Sequence, residues 1–292
     1  MSLWTSIVSL GFVAAVVRMA IPYVFAAVGG SIVERSGVVD LALEAKLLCG
    51  AFAAASVTHA TGSLLLGIVA GACAGAAVSA LQALCALRLG ADQVVVGVGL
   101  NLLALAGTRF ALQALYGQGA NSPPCDSVGD GLLGNPLTYL AIVAAVGGWA
   151  ALTHTPWGLR VRAAGERPDI LTAAGLSIHR VRWSAMLIGG AIVGLGGAQL
   201  SLAVGGFSAD MSSGRGYMAL AAVILANWRP HRAALICLGI AAAEALNIRL
   251  QLADVGIPRE LMPALPYALT LLVIVGVGGG RRPPPALGQP PA

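Results

Sequence analysis

The sequence predicts an all-α, polytopic membrane protein, with about eight transmembrane helices and broken or re-entrant segments among them. Three observations predict it. Hydrophobic residues make up 58% of the chain and charged residues 10%, against about 25% charged in an average soluble domain. No Asp, Glu, Lys or Arg occurs from Leu47 to Leu87. Glycine is abundant, 39 of 292 residues, as expected where membrane helices pack backbone to backbone. This balance excludes a disordered chain, a nucleic-acid binder and an ordinary soluble enzyme.

The elements follow in order. Leu3 to Val28 is long enough for one crossing, but Arg18 interrupts it. A cleaved signal peptide is not expected, because the run lacks a basic start and Arg18 stands where the cleavage site would be. The charge-free stretch splits into two helices at His59-Ala60-Thr61-Gly62-Ser63, a turn signal. Further spans are Val94 to Tyr116, Pro136 to Thr153, Trp183 to Val204, Ala233 to Leu252 and Pro263 to Val277. Gly216 to Trp228 is apolar but too short to cross as a regular helix. Residues 1–280 thus form one transmembrane domain with a cytoplasmic loop around 154–182. Residues 281–292, Arg-Arg followed by a proline-rich stretch, are expected to be a disordered cytoplasmic tail.

Arginine sets the orientation. Lys46 is the only lysine beside 16 Arg. Arg160, Arg162, Arg167, Arg180 and Arg182 crowd one loop, which places that loop in the cytoplasm. Counting outward, Gly117 to Asn135 and Phe207 to Gly214 lie outside, while Arg88, Arg229, Arg232, Arg281 and Arg282 lie inside. The scheme closes only if Gly216 to Trp228 crosses, extended by irregular backbone. Such backbone is tolerated at membrane depth only when buried in protein or lining a cavity. Residues 212–217 are therefore a pathway candidate.

Gly67, Gly71 and Gly75 repeat every fourth residue, as do Gly190 and Gly194. Such faces serve either contacts within the subunit or a dimer interface. No nucleophile elbow, phosphate-binding loop or metal-ligand spacing occurs, so no catalytic or metal site is expected in this chain. Cys125, in a loop, reads as a free thiol; Cys49, Cys73, Cys85 and Cys237 lie in apolar runs.

The densest polar segment is Glu34 to Lys46, with five charges between apolar stretches. It is either a solvated interfacial loop or a broken helix lining a polar pathway. Within it Glu34 can pair with Arg35, and Asp40 or Glu44 with Lys46. Gln93, Asn101, Arg109, Gln199, Glu244 and Asn247 stand alone in apolar surroundings, each suited to an interhelical hydrogen bond or a solute contact. The amphipathic loop from Pro156 has helix-start chemistry at Pro168-Asp169 and a stop at Gly175. It is either a docking helix or a membrane-surface connector.

Four blocks together resemble the inner-membrane permease subunits of bacterial ABC importers. They are Glu34 to Glu44 with Gly50 to Ala54, Ala91 to Ala104, Thr155 to Glu166 with Ala173 to Gly175, and Gly214 to Ile224 with Trp228 to Pro230. The likeness is to the binding-protein-dependent family of ribose, branched-chain amino acid and nucleoside permeases, and within it to the nucleoside or simple-sugar branch. The resemblance implies a half-transporter. A second permease subunit, identical or homologous, would complete the pathway. ABC ATPase subunits carrying ATP and Mg would dock beneath, and an extracytoplasmic solute-binding lipoprotein would deliver the solute. It also implies that Asp40, Glu44, Asn101, Arg215 and Tyr217 line or gate the path. Gly165, Glu166, Pro168, Ala173, Ala174 and Gly175 would couple the chain to the ATPase. Where such permeases have Gly followed by large apolar residues after Glu44, this chain has Ala45 and Lys46. That lysine either neutralises Glu44 or favours an anionic or zwitterionic solute. An ion-coupled secondary transporter using Asp40, Glu44 and Glu244 is the competing reading.

Overall fold

Helix ends are set by local chemistry. Asp92 accepts the N–H groups of Val94 and Val95, both at 2.9 Å, and opens one helix. Asn135 and Thr155 cap two more, each followed by a proline in the first turn. Gly62, Gly117 and Gly205 close others in the left-handed conformation. The computed structural model describes residues 10–129, 134–252 and 282–289. Among them the elements are α1 (Leu10–Arg35), α2 (Leu43–Thr61), α3 (Leu64–Ala83, continued by a π turn, Leu84–Arg88), α4 (Gln93–Tyr116) and α5 (Pro136–His154). There follow α6 (Pro156–Glu166), α7 (Pro168–Ala173), α8 (Ile178–Val204), α9 (Arg215–Leu225) and α10 (Pro230–Leu252). Strand pairing among the described residues is limited to an isolated bridge between Asn121 and Ser208.

Six of these helices, α1, α3, α4, α5, α8 and α10, are long and apolar enough to cross a membrane. The chain is an all-α, multi-pass integral membrane protein. The expected span Pro263 to Val277 lies outside the described residues. The first crossing is displaced from the Leu3 to Val28 expectation: α1 runs without a break to Arg35. Arg18 and Arg35 are separated along it by roughly 25 Å, close to the thickness of the hydrocarbon core. Arg18, exposed, therefore marks the boundary of the span opposite Arg35 rather than a gap in it.

Helix α8 is the hub, packed on α1, α2 and α3. The glycine repeats meet one another inside the chain. A Cβ at Gly75 would lie 2.7 Å from Gly194 Cα and closer still to Gly190 O. On the other flank, Gly29 faces Gly189, and Gly50 faces Gly194. The internal-packing reading holds for these repeats, because no room for a side chain remains between the backbones.

The two predicted outer segments cover one end together. Ser122 N–H donates to Phe207 O at 2.8 Å, Cys125 N–H to Gly205 O at 2.9 Å, and Ala209 N–H to Ala120 O at 2.7 Å. Helix α9 rises about 16 Å, half of the hydrocarbon thickness. Irregular backbone supplies the rest, with Asp210, Ser213 and Gly214 before α9, and Asn227 and Trp228 after it, at positive φ.

One expectation is corrected. The tail is ordered over residues 282–289, with Pro284 and Ala286 buried. Ala286 N–H donates to Gly165 O at 2.9 Å, and Gly288 N–H to Gly37 O at 3.1 Å. Proline richness argued for disorder because it removes backbone donors. The remaining donors here find carbonyls left open by the end of α6 and by the turn after α1.

Candidate functional site

The charged segment Glu34 to Lys46 is a helix break sealed inside the protein. Between α1 and α2 the backbone leaves helical geometry, so its polar groups need partners from elsewhere. Arg182 Nε donates to Ser36 O at 3.2 Å. Val39 N–H donates to Gln93 Oε1 at 2.8 Å, and Gln82 Nε2 donates to Val39 O at 3.1 Å. Asn101 Nδ2 donates to Leu41 O at 2.8 Å, while its Oδ1 accepts the Ala45 N–H at 2.9 Å. Three buried amide side chains thus replace the missing helical bonds.

The charges sort into two groups. Lys46 Nζ contacts Asp40 Oδ1 at 2.5 Å, and neither side chain has any exposure. Asp40 is thereby removed from any path surface; it neutralises the only lysine. Glu34 is also buried and accepts from Trp228 Nε1 at 2.5 Å and from Asp40 N–H at 3.3 Å. That joins the end of α1 to the end of α9. The local pairing of Glu34 with Arg35 does not form; Arg35 instead reaches Trp228 O at 3.1 Å and Glu166 at 3.1 Å.

The second group surrounds the amino end of α9. Glu44 accepts the Gly214 N–H at 2.8 Å and the Gly216 N–H at 2.7 Å. These are donors that a helix start leaves without intrahelical partners. A Cβ at Gly216 would collide with the Glu44 backbone, so only glycine permits this approach. Arg215 pairs with Glu244 of α10 at 2.8 Å, and Tyr23 Oη donates to the other Glu244 oxygen at 3.0 Å. Asn101 Nδ2 donates to Tyr217 Oη at 3.0 Å, and Tyr217 is half exposed. Glu44, Asn101, Arg215 and Tyr217 therefore converge on one polar seam, with Arg215 and Glu244 about one fifth exposed. Partly open polar groups among membrane-spanning helices must face water or another protein surface, since lipid would leave them unsatisfied.

Tyr23, Gln82 and Trp228 were not singled out from the sequence. Tyr23 and Gln82 sit in apolar runs and Trp228 in the irregular turn after α9, and the partner of each lies far away in the chain. The only available signal was Gln82 as a lone amide in a charge-free stretch. Glu244 makes the interhelical bonds its isolation in an apolar run suggests, with partners from α9 and α1.

The residues expected to couple to an ATPase lie together at the end that carries the arginine-rich loop, as two helices rather than one. Gly165 ends α6 and is buried; a Cβ there would collide with Arg35 O. Glu166 beside it is exposed and holds Arg35. Pro168 opens α7, and Ala173, Ala174 and Gly175 lie exposed at its end. The inner face of α6 thus touches the α1–α2 break, and α7 presents an open surface.

Among the described residues no cluster of three His, Cys, Asp or Glu side chains suited to a metal ion occurs. The family model described as "Branched-chain amino acid transport system / permease component" matches residues 12–277. The chain is 33% identical to the guanosine ABC transporter permease NupQ of Bacillus subtilis, over 93% of each chain. It is 32% identical to the nucleoside ABC transporter permease NupC of Lactococcus lactis, over 87% of each. It is 24% identical to a second Bacillus subtilis guanosine ABC transporter permease, NupP, over 93% of this chain and 84% of that one. No solved structure matches. With most of its length matched by that family and by full-length permeases, the chain belongs to the branched-chain amino acid transport system permease family.

Proposed function

We propose that this permease is one half of the membrane pathway of an ATP-driven importer for nucleosides. The solute passes along the seam where Glu44, Asn101, Arg215 and Tyr217 meet. The observation that carries this reading is the start of the short apolar helix α9, held by Glu44 and flanked by partly open polar groups. A phenol ring, an amide and an ion pair suit a solute with a flat base and several hydroxyls. The nucleoside permeases it resembles support the same class, with a simple sugar as the alternative. Two guanosine permeases in one organism, 33% and 24% identical to this chain, favour pairing with a non-identical permease. An extracytoplasmic solute-binding lipoprotein delivers the solute on the outer face.

ATP and Mg belong to partner ATPase subunits seated on the exposed face of α7 and Glu166. Their closure pushes α6, whose Gly165 end abuts the α1–α2 break. The break carries Glu44, and Glu34 reaches the far end of α9, so one displacement bears on both ends of that helix.

The test is uptake of labelled guanosine into proteoliposomes holding the chain with its ATPase, partner permease and binding protein. Uptake is expected to require ATP, to survive a protonophore and to be outcompeted by nucleosides before ribose. Ala174→Trp on the docking face is expected to lower uptake at least tenfold while the chain still folds. Uptake without ATP, abolished by the protonophore, would overturn the reading.

A further inference from the structure

A second polar feature lies on the cytoplasmic side, apart from the seam. A cleft of 480 Å³ opens between α6, α7, the end of α9 and the tail segment 282–285. Its wall holds four guanidinium groups, from Arg35, Arg162, Arg167 and Arg282, and one carboxylate, Glu166. Glu166 is engaged with Arg35 at 3.1 Å, so three positive charges face the cleft unbalanced. Arg162 Nε is buried and has no hydrogen-bond partner among the described residues. Arg162 and Arg229 are also near enough to Arg35 to repel it.

A buried donor without an acceptor is destabilising, and more so when it is charged. Like charges held around a concavity focus a positive potential into it. Both costs vanish if an anion with several acceptor oxygens enters, because guanidinium groups match phosphate oxygens in paired hydrogen bonds. The remaining wall, with Leu159, Ile170 and the prolines 283–285, is apolar and suits an ester substituent. The cleft also sits at the cytoplasmic boundary of the membrane, where anionic headgroups concentrate.

We propose that this cleft binds a phosphate ester or phosphate ion, gripped by Arg162 and Arg282 with Arg167 at the rim. An anionic phospholipid headgroup and a soluble phosphate share this chemistry. Either bridges α6 to the tail, which is itself bonded to Gly165 and Gly37, so occupancy stiffens the junction between the cytoplasmic helices and the α1–α2 break.

The test uses the full-length chain, delipidated in mild detergent. It is titrated with dioctanoyl phosphatidylglycerol, with dioctanoyl phosphatidylcholine and, separately, with inorganic phosphate. Binding is read by native mass spectrometry for lipid and by the thermal unfolding midpoint for phosphate. One saturable site is expected, weakened at least tenfold by the pair Arg162→Gln and Arg282→Gln and unchanged by Arg180→Gln at the start of α8. Preference for phosphatidylglycerol over phosphatidylcholine, without a phosphate response, assigns the lipid source. A saturable phosphate response without that preference assigns the soluble source. If the double variant does not fold, the exposed Arg167→Gln alone is expected to weaken binding about threefold. Absence of saturable binding of phosphatidylglycerol and phosphate alike, or equal binding by a folded variant, would overturn the proposal.

Discussion

Glu44 closes the amino end of α9 from another helix: its two carboxylate oxygens take the N–H groups of Gly214 and Gly216 at 2.8 and 2.7 Å. A negative charge at that position is stabilised by the helix dipole by about 1 kcal/mol, up to about 2 when partly buried. Glu44→Gln keeps the shape and one acceptor but turns an amide toward a donor. The folded chain is expected to persist with a slightly lower melting midpoint. Guanosine uptake is expected to fall at least tenfold. Wild-type uptake in this variant would remove Glu44 from the path.

The buried Asp40–Lys46 pair is expected to serve folding rather than transport. Both groups are sealed from solvent, so removing one strands a buried charge at a cost of about 3–5 kcal/mol. Lys46→Met is expected to fold poorly in detergent. The double change Asp40→Leu with Lys46→Met is expected to recover most of the lost melting midpoint. Strictly additive losses would show that the two residues do not act as a pair.

Glycines divide by what faces them. Gly75→Val drives a side chain into α8 and is expected to cost at least about 1–3 kcal/mol, seen as lost folded yield. Gly107 on α4 has open space around its Cβ position. Gly107→Ala is expected to leave yield unchanged. Equal yields for the two variants would contradict the α3–α8 contact.

Cys125 reports topology. Its loop bonds to the segment after α8 on the outer side, and burial, with Asp126 nearby, raises its thiol above the usual range. Less thiolate is then present at neutral pH, and only thiolate reacts. A membrane-impermeant maleimide is expected to label Cys125 from outside in intact cells, slowly at pH 7 and roughly tenfold faster per pH unit above it. Labelling that requires access from the cytoplasm would invert the orientation.

Much of the architecture was legible because membrane physics acts on local sequence. Span lengths, the arginine-rich loop and the short Gly216 to Trp228 stretch each carry their own signal. The site was legible only by residue type. Asp40 and Glu44 look alike in sequence, four residues apart. One is locked to Lys46, and the other reaches across to α9. What separates them is the course of a non-helical backbone held by Gln82, Gln93 and Asn101 from other helices, and no periodicity encodes that. The tail misled for the opposite reason. Its composition describes an isolated proline-rich peptide, while its order comes from carbonyls at Gly37 and Gly165 and from Arg182 Nη1, which holds Gln289 O at 3.3 Å.

The glycine seams around α8 bear on what can move. A contact made of side chains can be repacked into a second arrangement, whereas backbone pressed on backbone offers no alternative set of rotamers. Helices α1, α2, α3 and α8 are therefore expected to travel as one piece. A push arriving at Gly165 reaches the membrane interior as a tilt of that block, and deformation is left to elements outside it, above all the half-length α9 with its left-handed residues at both ends.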